Sequence, residues 1–380
     1  MEMRSFDRIG KKISLLGFGL MRLPLRSASA KDIDRETGRR MIDKAIGAGV
    51  NYFDTAWVYH EGESEVFAGE ALSEYPRESY SLATKMPVWL LESGEDLGRI
   101  FDEQLRKCRV DYFDFYLLHN IGGPTYDMAI KYKAYEFLRK KKEEGRIRNL
   151  GFSLHDSPEL LEKIVNGWEW DFAQIQLNYI DWEVIDAKRQ YEILASRGIP
   201  VVIMEPVRGG ALANLNPEAE GILKSADPSA SPASWAIRYA ASLPGVLTVL
   251  SGMSNMEQVE DNLNTMADFR PLSEGERSVL SRAAASYLSS GTIPCTGCRY
   301  CMDCPAGVDI PRVFAIYNHY RMALSNNQNM APIVFRNTYR TLADSQKAHN
   351  CVSCGKCVSH CPQGIDVPNF MKGIAELAAA

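Results

Sequence analysis

NYFDTA (51–56), YSLATK (80–85) and FDFYLLH (113–119) decide the fold of this 380-residue chain. Each is a short apolar or β-branched run that finishes near a polar residue, and each leads into a stretch of helical period, at 64–74, 95–109 and 128–144. The alternation extends outward in both directions. ISLLGFG (13–19) precedes them, and RNLGFS (148–153), FAQIQLNY (172–179), PVVIMEP (200–206) and VLTVLSG (246–252) follow. Further helical stretches fall at 35–48, 158–166, 184–197 and 232–242, with caps expected at Asp32 and at Ser157 before Pro158. Eight strands in roughly 270 residues predict an α/β fold, a (β/α)8 TIM barrel. The rival, a doubly wound dinucleotide-binding sheet, requires Gly-x-Gly-x-x-Gly after its first strand. Gly17-Phe18-Gly19 is followed by Leu20, Met21 and Arg22, and the third glycine is missing. A capping box of Ser273 and Glu276 opens a last amphipathic helix, and Gly291 to Pro294 marks the boundary of a barrel domain at 1–290.

Composition narrows the function. With 46% hydrophobic, 10% aromatic and 24% charged residues the chain is an ordinary globular protein, neither disordered nor collagen-like nor coiled coil. A formal charge of -5 offers no general attraction to nucleic acid or to anionic membranes. No apolar run reaches the ~18 to 20 residues that span a bilayer, and MEMRSFDRIGKK lacks the apolar core of a secretory signal, so a cytoplasmic location is expected. Eight of the nine cysteines fall between 295 and 361. Regular spacing there indicates a metal module rather than disulfides.

Active sites of such barrels lie at the carboxyl ends of the strands. Three successive strands deliver Asp54, Lys85 and His119 there, with Tyr59 in the loop after the first. The set suits delivery of a hydride to a carbonyl and a proton to its oxygen. A phenol with an ordinary pKa near ~10 donates poorly at neutral pH unless a cation stabilises the phenolate. Lys85 supplies that cation, Asp54 holds the ammonium, and a neutral His119 hydrogen-bonds the carbonyl and fixes its angle.

In FDTAWVYHEGESE (53–65), ATK (83–85), DFYLLH (114–119), GFS (151–153) and VIMEPVRGG (202–210) the chain resembles the aldo-keto reductases, through the entire barrel. The resemblance implies a catalytic tetrad at Asp54, Tyr59, Lys85 and His119, with Tyr59 as general acid. It also implies NAD or NADP extended across the barrel mouth. Ser153 and Gln174 match residues that hold the carboxamide, Leu154 stands where many members have asparagine, and Met204 replaces an aromatic ring stacked on the nicotinamide. Pro206, Gly209 and Gly210 form the turn where a pyrophosphate approaches. SGMSNMEQVEDN (251–262) resembles the adenosine-phosphate segment, with Ser251, Asp261 and Asn262 in place. Gly252 and Gln258 occupy positions where NADP-preferring members place Lys and Arg, so NADH preference or tolerance of both is expected. Gln174, Gln176 and Asn178 alternate along one strand and share a face. Trp57, Trp89 and Trp182 are candidates for the mouth.

The tail carries Cys295-x2-Cys298-x2-Cys301-x2-Cys304-Pro and Cys351-x2-Cys354-x2-Cys357-x3-Cys361-Pro. As in bacterial two-cluster ferredoxins, three cysteines of each run can wrap one 4Fe-4S cluster while the fourth reaches the other. On that pattern Cys295, Cys298, Cys301 and Cys361 form one set, and Cys304, Cys351, Cys354 and Cys357 the second. Zinc is the competing ligand. The first run is one residue short before Cys304. The 46 residues between runs read as helical in VFAIYNHYRMAL and FRNTYRTLADSQ, so residues 291–380 resemble the small, mainly α-helical ferredoxin-like iron-sulfur domains of succinate dehydrogenase-type subunits. CTGCRYCMDCPAGVDIP (295–311) resembles the junction of the aldo-keto reductase subgroup with such a tail. Cys108 reads as a packed small side chain.

Nicotinamides pass electron pairs and such clusters pass single electrons, which leaves three readings. The barrel interconverts a carbonyl (aldehyde, ketone or sugar) and an alcohol with NAD(P)H beside structural or sensory clusters. Or the mouth binds a flavin, FMN or FAD, fed by the clusters from a ferredoxin or flavodoxin. Or the chain is an electron-transfer subunit of a larger complex. From Cys295 onward the charge is +3, which could suit an acidic carrier.

Overall fold

A computed structural model describes residues 1–302, 304–325 and 330–379. Asp303, inside the first cysteine run, lies outside the described residues. The chain forms two compact units: Met1–Pro206 with Ala236–Leu272, and Val207–Trp235 with Ser273–Ala380. The second unit thus takes in residues ahead of position 291.

In the first unit a short antiparallel pair, β1 (Met3–Arg4) and β2 (Ile13–Ser14), precedes the barrel. The eight expected strands are β3 (Leu16–Gly19), β4 (Tyr52–Asp54), β5 (Ser81–Met86), β6 (Phe113–Ile121), β7 (Ile147–Leu154), β8 (Phe172–Gln176), β9 (Val201–Met204) and β10 (Val246–Gly252). They close in sequence order, all parallel, with β10 returning to β3. Parallel strands buried on both faces need continuous apolar runs, and β4, β5 and β8 are buried at every position. Tyr52, Ala83, Phe115, Leu117, Phe172, Val202 and Leu247 pack together as the central core cluster. Polar residues sit further along the same strands.

Helices follow the strands, with local differences from expectation. The helix Arg35–Gly47 is capped by Asp34, whose carboxylate accepts from Thr37 N–H, rather than by Asp32. The stretch 128–144 splits into Gly123–Lys131 and Ala134–Glu143 around Lys133, which has φ 53°. Likewise Asp181–Val184 and Ala187–Ser196 are separate helices. Ser157 and Pro158 start a helix as expected. Cys108 is buried in the helix Glu95–Cys108. Among the described residues no helix is long and apolar enough to cross a membrane.

In the second unit the Ser273–Glu276 capping box opens the helix Glu274–Ser289, which packs on Pro217–Ala226. Asn216 caps the latter and donates to the Ser286 carbonyl at 3.0 Å, tying the two together. The helices Ile310–Ser325, Ala331–Arg340 and Val367–Ala379 form a small core through Val313, Phe314, Phe335, Tyr339 and Met371.

Candidate active site and cluster module

The register of the barrel brings the tetrad together. Asp54 pairs with Ala83 across β4 and β5, and Lys85 with Leu117 across β5 and β6. Because side chains alternate, Lys85 and His119 each stand one inward position beyond those partners. The Lys85 ammonium donates to Asp54 Oδ1 at 2.7 Å, to the Thr55 carbonyl at 2.8 Å and to the Tyr59 hydroxyl at 3.3 Å. Lys85 is 0% exposed. Burial works against both charges, pushing Lys85 below and Asp54 above their ordinary values, and each ion is the main compensation for the other. Tyr59 stands edge-on to His119, with ring centroids 6.0 Å apart. Burial first, then the Lys85 charge, holds His119 well below the usual imidazole range and so neutral. Of the three tryptophans, Trp89 lies 5.0 Å from the His119 ring. Trp57 sits under the Lys107 ammonium at 3.7 Å, and Trp182 packs against Tyr191 and Tyr239.

Two histidines escaped the sequence reading. His60 has φ 52°, accepts from Leu23 N–H through Nε2, and is buried. Nδ1 is therefore its donor, to the Ala30 carbonyl at 2.8 Å, and the ring fixes the loop after β3. His155, just past β7, is held down to about 4 by burial and the Lys85 charge. Neither stands in a local pattern that announces it.

On the cofactor side, Ser153 Oγ accepts from Asn120 N–H at 2.8 Å. Gln176 and Asn178 both donate to Asp181 Oδ2, at 2.7 and 2.6 Å, and are structural. Gln174 differs. Its amide reaches Met204 Sδ at 3.5 Å, while its buried Oε1 has no hydrogen-bond partner among the described residues. An orphaned acceptor at this depth is costly unless a ligand donates to it, and a carboxamide NH2 would. Ser251 Oγ accepts from Asn262 at 2.8 Å. Gln258 caps its own loop, accepting from Ser254 N–H at 2.7 Å. At Gly252 the stem of Arg22 fills the side-chain space, within 3.2 to 3.3 Å of where a Cβ would lie, and its guanidinium is 3.6 Å from Glu205. An arginine the sequence did not assign thus packs its stem beside Gly252, with its charged end paired to Glu205. Pro206 is buried, Asp261 is half-buried, and Gly210 is open. Gly209, with φ 64°, lies against Thr296, so close that a Cβ would be 2.0 Å from the Thr296 carbonyl oxygen.

In the second unit Cys295, Cys298, Cys301 and Cys361 line one small cavity, with Ile310, Phe314 and Ile365. Cys304, Cys351, Cys354 and Cys357 line another, with Val308, Val367 and Met371. Burial and then Cys298, Cys295 and Cys361 push the Cys301 thiol up to about 12, while burial and then Cys351, Cys304 and Cys354 raise Cys357. Four sulfurs massed in an apolar wall repel as thiolates unless a shared cationic body neutralises them, which is what an iron-sulfur cubane provides. The Gly297 N–H donates to Cys295 Sγ at 3.4 Å, a bond of the kind that tunes such a cluster. The residues present fit the group.

Comparison with known proteins gives two family matches, the first reaching into the second unit. The Aldo/keto reductase family matches residues 15–278, and the 4Fe-4S dicluster domain matches 294–365. L-galactose dehydrogenase from Arabidopsis thaliana is 27% identical over 294 residues, 71% of this chain and 90% of that protein. NADH-specific methylglyoxal reductase from Escherichia coli is 27% identical over 66% of this chain and 89% of its own length. The solved aldo-keto reductase AKR11C1 from Bacillus halodurans, in its holo form, superposes with a TM-score of 0.62 at 27% identity, covering 74% of this chain and 96% of that one. A closed parallel barrel, matched over most of the chain, followed by two four-cysteine cavities leaves one assignment: the chain belongs to the aldo/keto reductase family of NAD(P)H oxidoreductases and carries a 4Fe-4S dicluster domain after its barrel.

Proposed function

We propose that the barrel interconverts a small carbonyl compound (an aldehyde, ketone or sugar) and its alcohol, with Tyr59 as the general acid. The observation that carries this is the Lys85 ammonium, shared between Asp54, the Thr55 carbonyl and the Tyr59 hydroxyl. The reduced nicotinamide, when bound, supplies the hydride. Tyr59 donates its proton to the substrate oxygen, and Lys85, 3.3 Å away, stabilises the negative charge left on the phenol oxygen. Asp54 keeps that ammonium in place. Neutral His119 donates to the carbonyl and sets its angle, and Trp89 supplies an apolar wall beside it. Gln174 would hold the carboxamide through its unpartnered oxygen, with Ser153 and Met204 beside it. Ser251, Asn262 and Asp261 would take the adenosine phosphate end. With Gln258 closing its own helix start and the Arg22 guanidinium paired with Glu205, preference for NADH or tolerance of both dinucleotides is the reading. Neither the family match nor the relatives support a flavin.

The two functional parts are 1–290 and 291–380. Cys295, Cys298, Cys301 and Cys361 would hold one cluster, and Cys304, Cys351, Cys354 and Cys357 the other, each supplying one-electron chemistry when present. A second reading is favoured by the exposed Cys354 beside Val352, which is 67% exposed: the tail exchanges electrons with an acidic carrier such as a ferredoxin or flavodoxin. Thiol-rich sites of this kind persist in a reducing compartment, consistent with the cytoplasm. The deciding experiment is anaerobic screening of aldehydes, ketones and sugars with NADH and NADPH. Turnover that vanishes in Tyr59→Phe supports the reading, and unchanged turnover in that variant overturns it.

A further inference from the structure

The tetrad leaves one buried carboxylate unused. Glu65, in the first turn of the helix Glu63–Leu72, is 0% exposed. Thr84 points away from the barrel interior because its neighbour Lys85 points in, and Glu65 meets it on that outer side. Glu65 Oε1 accepts from Thr84 Oγ1 at 2.7 Å and from Gln104 Nε2 at 2.7 Å. Gln104 also donates to the Lys85 carbonyl at 3.0 Å and accepts from the Tyr116 hydroxyl. The Lys107 ammonium stands 3.6 Å from Glu65 Oε2. Two donors on one oxygen and an ammonium facing the other suit the ionised carboxylate. Next to it in sequence, Ser64 hydrogen-bonds Thr55, whose carbonyl is itself a partner of Lys85. The first turn of this helix therefore grips both strands that frame the catalytic ammonium.

We propose that Glu65 is a positioning residue for Lys85: from the outer face of β5 it fixes the strand so that the ammonium stays aimed at Tyr59, and it adds a second negative charge to that of Asp54. The proposal rests on the reading of Lys85 as the partner of Tyr59. The need for a second charge follows from burial. Loss of solvent lowers the proton affinity of Lys85, and Asp54 and then Glu65 act against that. The groups around the Lys85 ammonium are Asp54 from β4, Tyr59 from the following loop, His119 from β6 and His155 from the end of β7, while Glu65 acts on it from the opposite side of β5. Glu65 in turn faces Lys107, Cys108 and Tyr116. Both imidazoles are kept neutral, and burial raises Asp54 and Glu65 above the usual carboxylate range, against which Lys85 acts on the first and Thr84, Gln104 and Lys107 on the second.

Glu65→Gln keeps the shape and the accepting oxygen while removing the charge. The probe reaction is 4-nitrobenzaldehyde reduction by NADH or NADPH, followed as kcat/KM against pH, with dinucleotide affinity and melting temperature measured alongside. The expected result is a loss of about 10- to 100-fold in kcat/KM, an alkaline limb moved to lower pH, and unchanged dinucleotide affinity. Lys107→Met removes the cation on the far side of Glu65, and its alkaline limb should move the opposite way, to higher pH. Limbs that coincide with wild type in both variants, whatever the overall rate, overturn the proposal and leave Glu65 a packing residue. Should Glu65→Gln fail to fold, an unmoved limb in Lys107→Met overturns it alone. A wild-type chain that oxidises neither dinucleotide with any carbonyl removes the underlying reading of Tyr59 and Lys85. Superimposed profiles from an active wild type remove only the role of Glu65.

Discussion

Replacing Gly209 by alanine should damage the first cysteine cavity while leaving the barrel folded. At φ 64° the residue sits in the left-handed region, where a side chain costs about 1–2 kcal/mol. A Cβ would also lie 2.0 Å from the Thr296 oxygen, 2.7 Å from its carbonyl carbon and 2.9 Å from its Cα. Those are backbone atoms, with no flexible tip to swing aside, so the segment between Cys295 and Cys298 must shift by more than 1 Å, roughly, to reach ordinary contact. Overpacking of that kind adds about 1–3 kcal/mol, for a total of about 2–5 kcal/mol. Gly210→Ala is the internal control. Its φ of 94° imposes strain, but nothing lies within 4 Å of its would-be Cβ. Guanidinium unfolding of the cluster-loaded chain, followed by visible absorbance and by bound iron, should show Gly209→Ala losing its chromophore at lower denaturant than Gly210→Ala. Equal midpoints and equal iron in the two variants would refute the argument.

Tyr59→Phe should lower kcat by about 10² to 10⁴ with the dinucleotide dissociation constant, read by fluorescence titration, unchanged. Cys361→Ala should resemble Cys298→Ala in residual iron and in its paramagnetic spectrum, and Cys304→Ala should resemble Cys354→Ala; pairing by sequence run instead would refute the crossed sets. His155 ordinarily titrates at 6.5 and is held to about 4 in the fold. Between those values the unfolded chain binds a proton that the folded chain does not, so stability is fully present above about 6.5 and declines as pH falls toward 4. Melting curves from pH 7 to 4.5 should show that decline, and His155→Gln should flatten part of it.

The barrel was legible because buried parallel strands must be continuous apolar runs, and NYFDTA, YSLATK and FDFYLLH place their polar residues where strands end. The tetrad followed from the same rule. What local pattern could not supply were partners from elsewhere in the chain. Gln258 sits where NADP-preferring relatives place an arginine and closes its own helix start, while the stem of Arg22 arrives beside Gly252 from the other end of the sequence. Gln176 and Gln174 share a face, yet only the neighbouring Asp181 reveals which is tied up. Glu65 lies inside the quoted motif, but its importance depends on Thr84 and Gln104, which no spacing links to it. The break at Lys133 went unseen because lysine carries no turn signal.

The crossed arrangement of the cysteines fixes an order of completion during synthesis. Cys295, Cys298 and Cys301 leave the ribosome first, yet their fourth companion, Cys361, emerges after every cysteine of the other cavity. The site begun earliest is therefore finished last, and iron delivered to it before then would meet only three sulfurs. Any cut between the runs leaves both cavities short of a cysteine.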